Sequence, residues 1–233
     1  MHKKSILIQA RLSASRFPGK MLADLGGIPL LEFVYNRCLS SKKADMVAVI
    51  TSDDKSDDPL YEYCGRENIP NYRGPLENVL QRYIKSAEHY KSDIICRVGG
   101  DTPFVDAELI DRSFDMLSEG RLDYAAPSRE TCASGFYSET LTLAALEKIA
   151  GMAKSPEDLE HVTKFILENK DKFKVELIDA GLNPAFAKKV RFTVDYPEDI
   201  ETARKIAAKL PGGYSFNSRD ILKIIEAMSL CAA

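Results

Sequence analysis

The chain has 233 residues, 45% apolar and 29% charged, proportions ordinary for a soluble globular protein with one substantial core. Its 32 basic residues against 35 acidic ones leave a formal charge of −3, which argues against a nucleic-acid partner, whose binding surfaces carry a clear basic excess. No apolar run approaches the roughly 20 residues that span a membrane, and the short apolar stretch before Arg11 is no signal-peptide core, so a cytoplasmic protein is expected. Five scattered cysteines (Cys38, Cys64, Cys96, Cys132 and Cys231) form no C-x-x-C pair, which predicts reduced, mostly buried thiols.

The first predicted element is an apolar strand over 6–9. It runs straight into a loop carrying Arg11, Ser13, Ser15, Arg16, Gly19 and Lys20. Three cations, two hydroxyls and a glycine at a buried strand end make a polyphosphate-cradling composition, because Arg offers a planar fork to phosphate oxygens and Lys a mobile point charge. The loop is not a Walker A motif, which needs a glycine where Ala14 stands and Ser or Thr where Met21 stands. No G-x-G-x-x-G follows any strand either. The plain alternative is a solvated basic loop.

A helix then begins at Pro29 and buries Leu30, Leu31, Phe33 and Val34. A strand over 46–51 is followed by Asp53, Asp54, Asp57 and Asp58, which suit a turn and the start of a helix before Pro59. A third strand leads into Arg73-Gly74-Pro75. Asn78 opens a helix whose Leu76, Val79, Leu80, Tyr83, Ile84 and Ala87 fall on one face. The strand over 94–98 ends at Gly99-Gly100-Asp101, and its Arg97 requires an anionic or carbonyl partner if buried. Asp106 is placed to cap a helix that turns Leu109, Ile110, Phe114 and Leu117 inward. A strand over 124–126 follows. From about 128 to 185 the pattern loosens, with helices near 141–150 and 156–168, and is read as an insertion or cap on a single 1–233 domain. A last strand over 190–194 precedes Asp195, and amphipathic helices over 197–209 and 217–228 close the chain.

Strand–helix alternation of this kind predicts an α/β fold: a three-layer α/β/α arrangement on a mainly parallel sheet. Ligands of such sheets bind beyond the carboxyl ends of the strands, so the Arg11 loop and the Gly99–Asp101 turn are expected to converge.

The run Gln9-Ala10-Arg11, then Ser15-Arg16, then Pro18-Gly19-Lys20, resembles the N-terminal signature of sugar-acid cytidylyltransferases, the SpsF-like spore-coat polysaccharide branch above all. The resemblance continues through Gly26–Glu32, Thr51–Leu60, Arg73–Tyr83, Arg97–Asp106, Glu160–Thr163 and Val194–Asp199. It implies a nucleotidyltransferase fold, a homodimer in which the 128–185 region makes the contact, and transfer of CMP from CTP to a KDO-like or sialic-acid-like acceptor. It implies that Arg11, Arg16 and Lys20 hold the β- and γ-phosphates, with Ala10, Ser13 and Ser15 in the same loop. Asp101 and Asp195 are the implied Mg²⁺ ligands, a number of carboxylates that suits a Mg²⁺ also held by phosphate and water. Arg73, Gly74 and Asn78 are the implied base-reading loop, with Arg97 near the nucleotide. Glu139 and His161 are the implied acceptor residues.

Each carboxylate has a structural alternative: Asp101 as a turn residue before Pro103, and Asp195 in a capping box with Glu198. The chain departs from the KDO pattern at Gly99, where those enzymes carry Gln, which favours the SpsF-like branch. The competing readings are a sugar-1-phosphate nucleotidyltransferase using UTP or dTTP, and a protein that binds nucleotide or sugar without turning it over.

Overall fold

The computed structural model describes residues 2–228, so Cys231 lies outside the described part. The strands are β1 (Lys4–Gln9), β2 (Met46–Ser52), β3 (Asn71–Gly74), β4 (Ile94–Gly99), β5 (Tyr124–Pro127), β6 (Glu139–Thr142) and β7 (Val175–Ile178). They form one sheet in the order β3-β2-β1-β4-β6-β5-β7. β6 runs antiparallel to both its neighbours, and the other pairings are parallel.

Alternating side chains explain why helices pack on both faces. Ile6, Ile8, Val47, Val49, Cys96 and Val98 point to one layer, while Leu7, Ala48, Ile50 and Ile95 point to the other. The first layer holds α1 (Leu30–Cys38), α2 (Asp58–Arg66), α4 (Ala107–Ser118), α9 (Pro197–Ala207) and α10 (Ser218–Ala227). The second holds α3 (Val79–Tyr90), α5 (Leu143–Met152) and α7 (Lys164–Glu168). Two short helices, α6 (Pro156–Glu160) and α8 (Pro184–Ala187), lie in the connections. The expected three-layer α/β fold with a mainly parallel sheet is the one found.

The caps act as the sequence suggests. Asn78 Oδ1 accepts from Gln81 N at 2.8 Å, and Asp106 Oδ1 accepts from Glu108 N at 2.9 Å. Cys38, Cys64, Cys96 and Cys132 are free and buried.

Several boundaries differ. The segment 190–194 is extended but is no strand: Phe192 N donates to Ser134 O and Val194 N to Asp101 O, so its amides are shared between two loops instead of one ladder. The helix expected over 156–168 breaks at His161, where Val162 is buried and Thr163 turns toward Glu139. Leu141 belongs to β6 and not to a helix, since a short buried apolar run fits either period. The loosely patterned 128–185 region thus supplies β6 and β7 to the sheet itself.

β1 is flanked by β2 on one side and β4 on the other, and the chain reaches β4 only after building β2 and β3 outward. The carboxyl ends of β1 and β4 therefore mark the point where the strand order reverses, the usual ligand crevice of open α/β sheets.

Candidate active site

The register pairs Gln9 with Gly99, so the loops leaving β1 and β4 emerge side by side. Gly100 N donates to Gln9 O at 2.9 Å. A methyl group on Gly100 would stand 2.8 Å from Met21 Sδ and 3.1 Å from Ala10 Cβ, so any larger residue would have to push these neighbours aside. A cleft of about 710 Å³ opens above the two strand ends.

The predicted cations divide into two kinds. Arg11 and Arg16 are exposed and line the cleft, with Ser15 beside them. Ser13 is exposed but does not line it, and Ala10 is buried against Gly100. Lys20 is only 6% exposed. Gly19, at φ +73°, turns the chain into a short 3-10 helix (Lys20–Leu22) and aims Lys20 inward. Its Nζ donates to Asp101 Oδ2 and to Val194 O, both at 2.7 Å, and lies 3.8 Å from Asp195 Oδ1. The two candidate metal ligands thus flank one ammonium.

Asp195 is not the cap of α9. That position falls to Tyr196, and Asp199 in the first turn reaches back, its Oδ2 accepting from Asp195 N and Tyr196 N at 2.8 Å each. The Asp195 carboxylate is left to face the cleft, where Oδ1 meets Arg16 Nη2 and Oδ2 meets Arg191 Nη1, each at 2.8 Å. Thr193 Oγ1 adds a donor at 3.0 Å. Arg16 also lies over the Tyr196 ring at 5.0 Å. Arg191 went unremarked in the sequence, although period two places Arg191, Thr193 and Asp195 on one side of an extended run.

Asp101 Oδ1 lies over Gly99, 2.6 Å from where a Cβ would stand. A glutamine at 99 would displace the carboxylate from this position. Gly99 therefore has a geometric consequence as well as a pattern difference.

Arg97 and Glu139, paired across β4 and β6, form the inner wall. Arg97 Nη1 donates to Glu139 Oε2 at 3.1 Å and to Thr163 Oγ1 at 2.7 Å, and its guanidinium lies 4.8 Å from the Tyr83 ring centre. The Arg97 Nε is buried without a partner. Glu139 Oε1 accepts from Tyr124 Oη at 2.9 Å; burial first, then the Glu139 charge, pushes that phenol well above its ordinary range and keeps it a donor. Arg129, another residue the sequence did not single out, lies over the Tyr137 ring at 4.4 Å. Arg97, Arg129 and Glu139 also line a second cavity of about 480 Å³, which His161 reaches from the break between α6 and α7.

The predicted base-reading residues stand apart from the cleft lining. Arg73 is spent on structure: Nε donates to Ser52 O at 2.9 Å, Nη2 to Asp54 O at 2.8 Å, and Nη1 to Asp58 Oδ1 at 2.7 Å. Gly74 packs under Arg82, whose Cγ would lie 2.9 Å from a Cβ there. Asn78 caps α3.

Among the described residues, no cluster of three or more His, Cys, Asp or Glu side chains could hold an ion. Asp101 and Asp195 are nonetheless two hard oxygen donors at one cleft, the protein share that Mg²⁺ ordinarily takes when phosphate and water complete its shell. No helix among the described residues is long and apolar enough to cross a membrane.

Residues 5–221 match the cytidylyltransferase family model. The spore coat polysaccharide biosynthesis protein SpsF of Bacillus subtilis is 32% identical over 212 residues, 87% of this chain and 85% of that protein. The 3-deoxy-manno-octulosonate cytidylyltransferase of Geobacter sulfurreducens is 32% identical over 113 residues, 48% of this chain and 44% of that enzyme. The solved structure of a cytidylyltransferase from Leptospira borgpetersenii superposes with a TM-score of 0.88 at 30% identity, covering 99% of this chain and 97% of that one. The converging loops, the buried lysine between two aspartates and these likenesses agree: the chain belongs to the cytidylyltransferase family.

Proposed function

We propose that the chain transfers CMP from CTP to a hydroxyl of a sugar acid, with release of pyrophosphate and with Mg²⁺, in the synthesis of a surface polysaccharide. The observation that carries this reading is the meeting of Arg11, Arg16 and Lys20 with Asp101 and Asp195 at the carboxyl ends of β1 and β4. The family match supports the nucleotide, and the SpsF likeness, spanning most of both chains, supports the polysaccharide role more broadly than the half-length KDO match.

In this reading the triphosphate lies along the 11–20 loop. Arg11 and Ser15 meet phosphate oxygens from the exposed wall. Arg16 exchanges its Asp195 contact for a forked contact to phosphate, and Lys20 neutralises the pyrophosphate as it leaves. Asp101 and Asp195 would hold Mg²⁺, which when bound polarises the phosphate and lowers the pKa of the attacking hydroxyl. The acceptor enters beside Arg97, Glu139 and His161, where the two cavities share a wall. Most of the acceleration comes from positioning and fixed charge, without a covalent enzyme intermediate.

The test is pyrophosphate release by the purified protein with CTP and Mg²⁺ across a panel of sugar acids, alongside sugar 1-phosphates with UTP and dTTP. Release that requires CTP and a sugar acid is expected. Release only with a sugar 1-phosphate and another nucleotide would contradict the proposal.

A further inference from the structure

We infer that Asp57 is the positioning residue of the phosphate loop, an inference that rests on the reading that residues 11–20 hold the CTP triphosphate. Asp57 is 0% exposed, and among the described residues no lysine or arginine forms an ion pair with it. Its oxygens are instead satisfied by three neutral donors from two segments. Oδ1 accepts Leu12 N at 2.7 Å, while Oδ2 accepts Ser52 N at 3.2 Å and the Ser52 hydroxyl. Burying a carboxylate without a cation is costly. The arrangement makes sense because an ionised carboxylate is acceptor on both oxygens and so can receive all three donors, which an amide cannot.

Leu12 is the hub of the loop that follows. Its N–H is held by Asp57, and its carbonyl accepts Ala14 N at 2.9 Å and Gly19 N at 3.0 Å. Gly19 then delivers Lys20 to Asp101. A continuous line of contacts therefore runs from Asp57 through Leu12 and Gly19 to Lys20, and Arg11 is fixed as the residue before the hub. The other end is anchored too. Ser52 closes β2, and its carbonyl accepts Arg73 Nε, so the arginine expected to read the base instead braces the support of the phosphate loop.

The test compares wild type, Asp57→Asn and Ser52→Ala by calorimetric titration with Mg·CTP, and by the KM for the acceptor at saturating CTP. Asparagine keeps an acceptor for Leu12 but turns a donor toward Ser52 N; alanine at 52 removes the hydroxyl alone. The CTP dissociation constant is expected to rise about tenfold for Asp57→Asn and about threefold for Ser52→Ala, with acceptor KM unchanged. Should Asp57→Asn fail to fold, Ser52→Ala alone decides. Wild-type CTP affinity in the folded variants, or equal losses toward CTP and acceptor, would overturn the inference while leaving the proposed function intact. A wild-type protein that binds no CTP would remove the functional reading, and this inference with it.

Discussion

Lys20 Nζ lies 2.7 Å from Asp101 Oδ2 and 3.8 Å from Asp195 Oδ1, so one buried ammonium holds together two carboxylates from distant parts of the chain. Removing that charge leaves the carboxylates facing one another. Lys20→Met is expected to cost about 2 kcal/mol of stability, less than a fully buried pair because both aspartates retain some solvent. Turnover should fall at least about a hundredfold. Mg²⁺ without nucleotide should restore more of the melting temperature in the variant than it adds to wild type. Melting curves with and without the ion check this; equal shifts would contradict it.

Gly100 sets the distance between the loops that leave β1 and β4. In Gly100→Ala the added methyl meets Met21 Sδ, Ala10 Cβ and Gln9 O at 2.8, 3.1 and 3.3 Å. The β1 and β4 loops must part by a fraction of an ångström, and roughly hundredfold loss in kcat/KM is expected from that misplacement. Gly151→Ala, where a methyl meets nothing within 4 Å, serves as the control that should retain activity.

Acid should weaken the Asp195 corner first. Burial opposes ionisation of Asp199, but donation from Asp195 N and Tyr196 N and the Arg191 guanidinium outweigh it and hold the carboxyl below its usual range. A carboxylate depressed in the folded state stabilises above its unfolded pKa, near 3.9, and that contribution is lost as pH falls through the lower folded value. Between about pH 4 and the onset of acid unfolding, Asp199→Asn should therefore flatten the dependence of melting temperature on pH. A slope identical to wild type would contradict this.

Glu139 neutralises Arg97 inside the wall shared by the two cavities. Glu139→Gln leaves the guanidinium buried without a counter-charge and is expected to cost about 3 kcal/mol. Acceptor KM should rise several-fold while CTP affinity stays within about twofold. An unchanged denaturation midpoint would show that Arg97 does not depend on Glu139.

The regular part of the fold was legible because its signals are local. β1, β2 and β4 are apolar runs, and α3 and α4 carry both a cap and a one-sided apolar stripe. β6 was not, since Glu139–Thr142 is four residues long and earns its place only by pairing with β4 and β5. In the site, the loop cations could be named from composition and Asp101 from its strand-end turn and the family resemblance, but the division of the cations into buried Lys20 and exposed Arg11 and Arg16 depends on the Gly19 turn and on Val194 O arriving from far along the chain. The same limit hid the role of Arg73. Its three acceptors lie at the end of β2, in the turn that follows and at the start of α2, and only the fold brings them around one guanidinium.

The most direct test of the central claim is the thermal stability of wild type and Asp101→Asn with Mg²⁺ and each of CTP, UTP, dTTP, ATP and GTP, since it requires no acceptor. A nucleotide at 100 times its dissociation constant adds about 2.7 kcal/mol. The account predicts a Mg²⁺-dependent shift with CTP above the other nucleotides, diminished in Asp101→Asn. Equal shifts with all five nucleotides, no shift with CTP, or a CTP shift untouched by the substitution would contradict it.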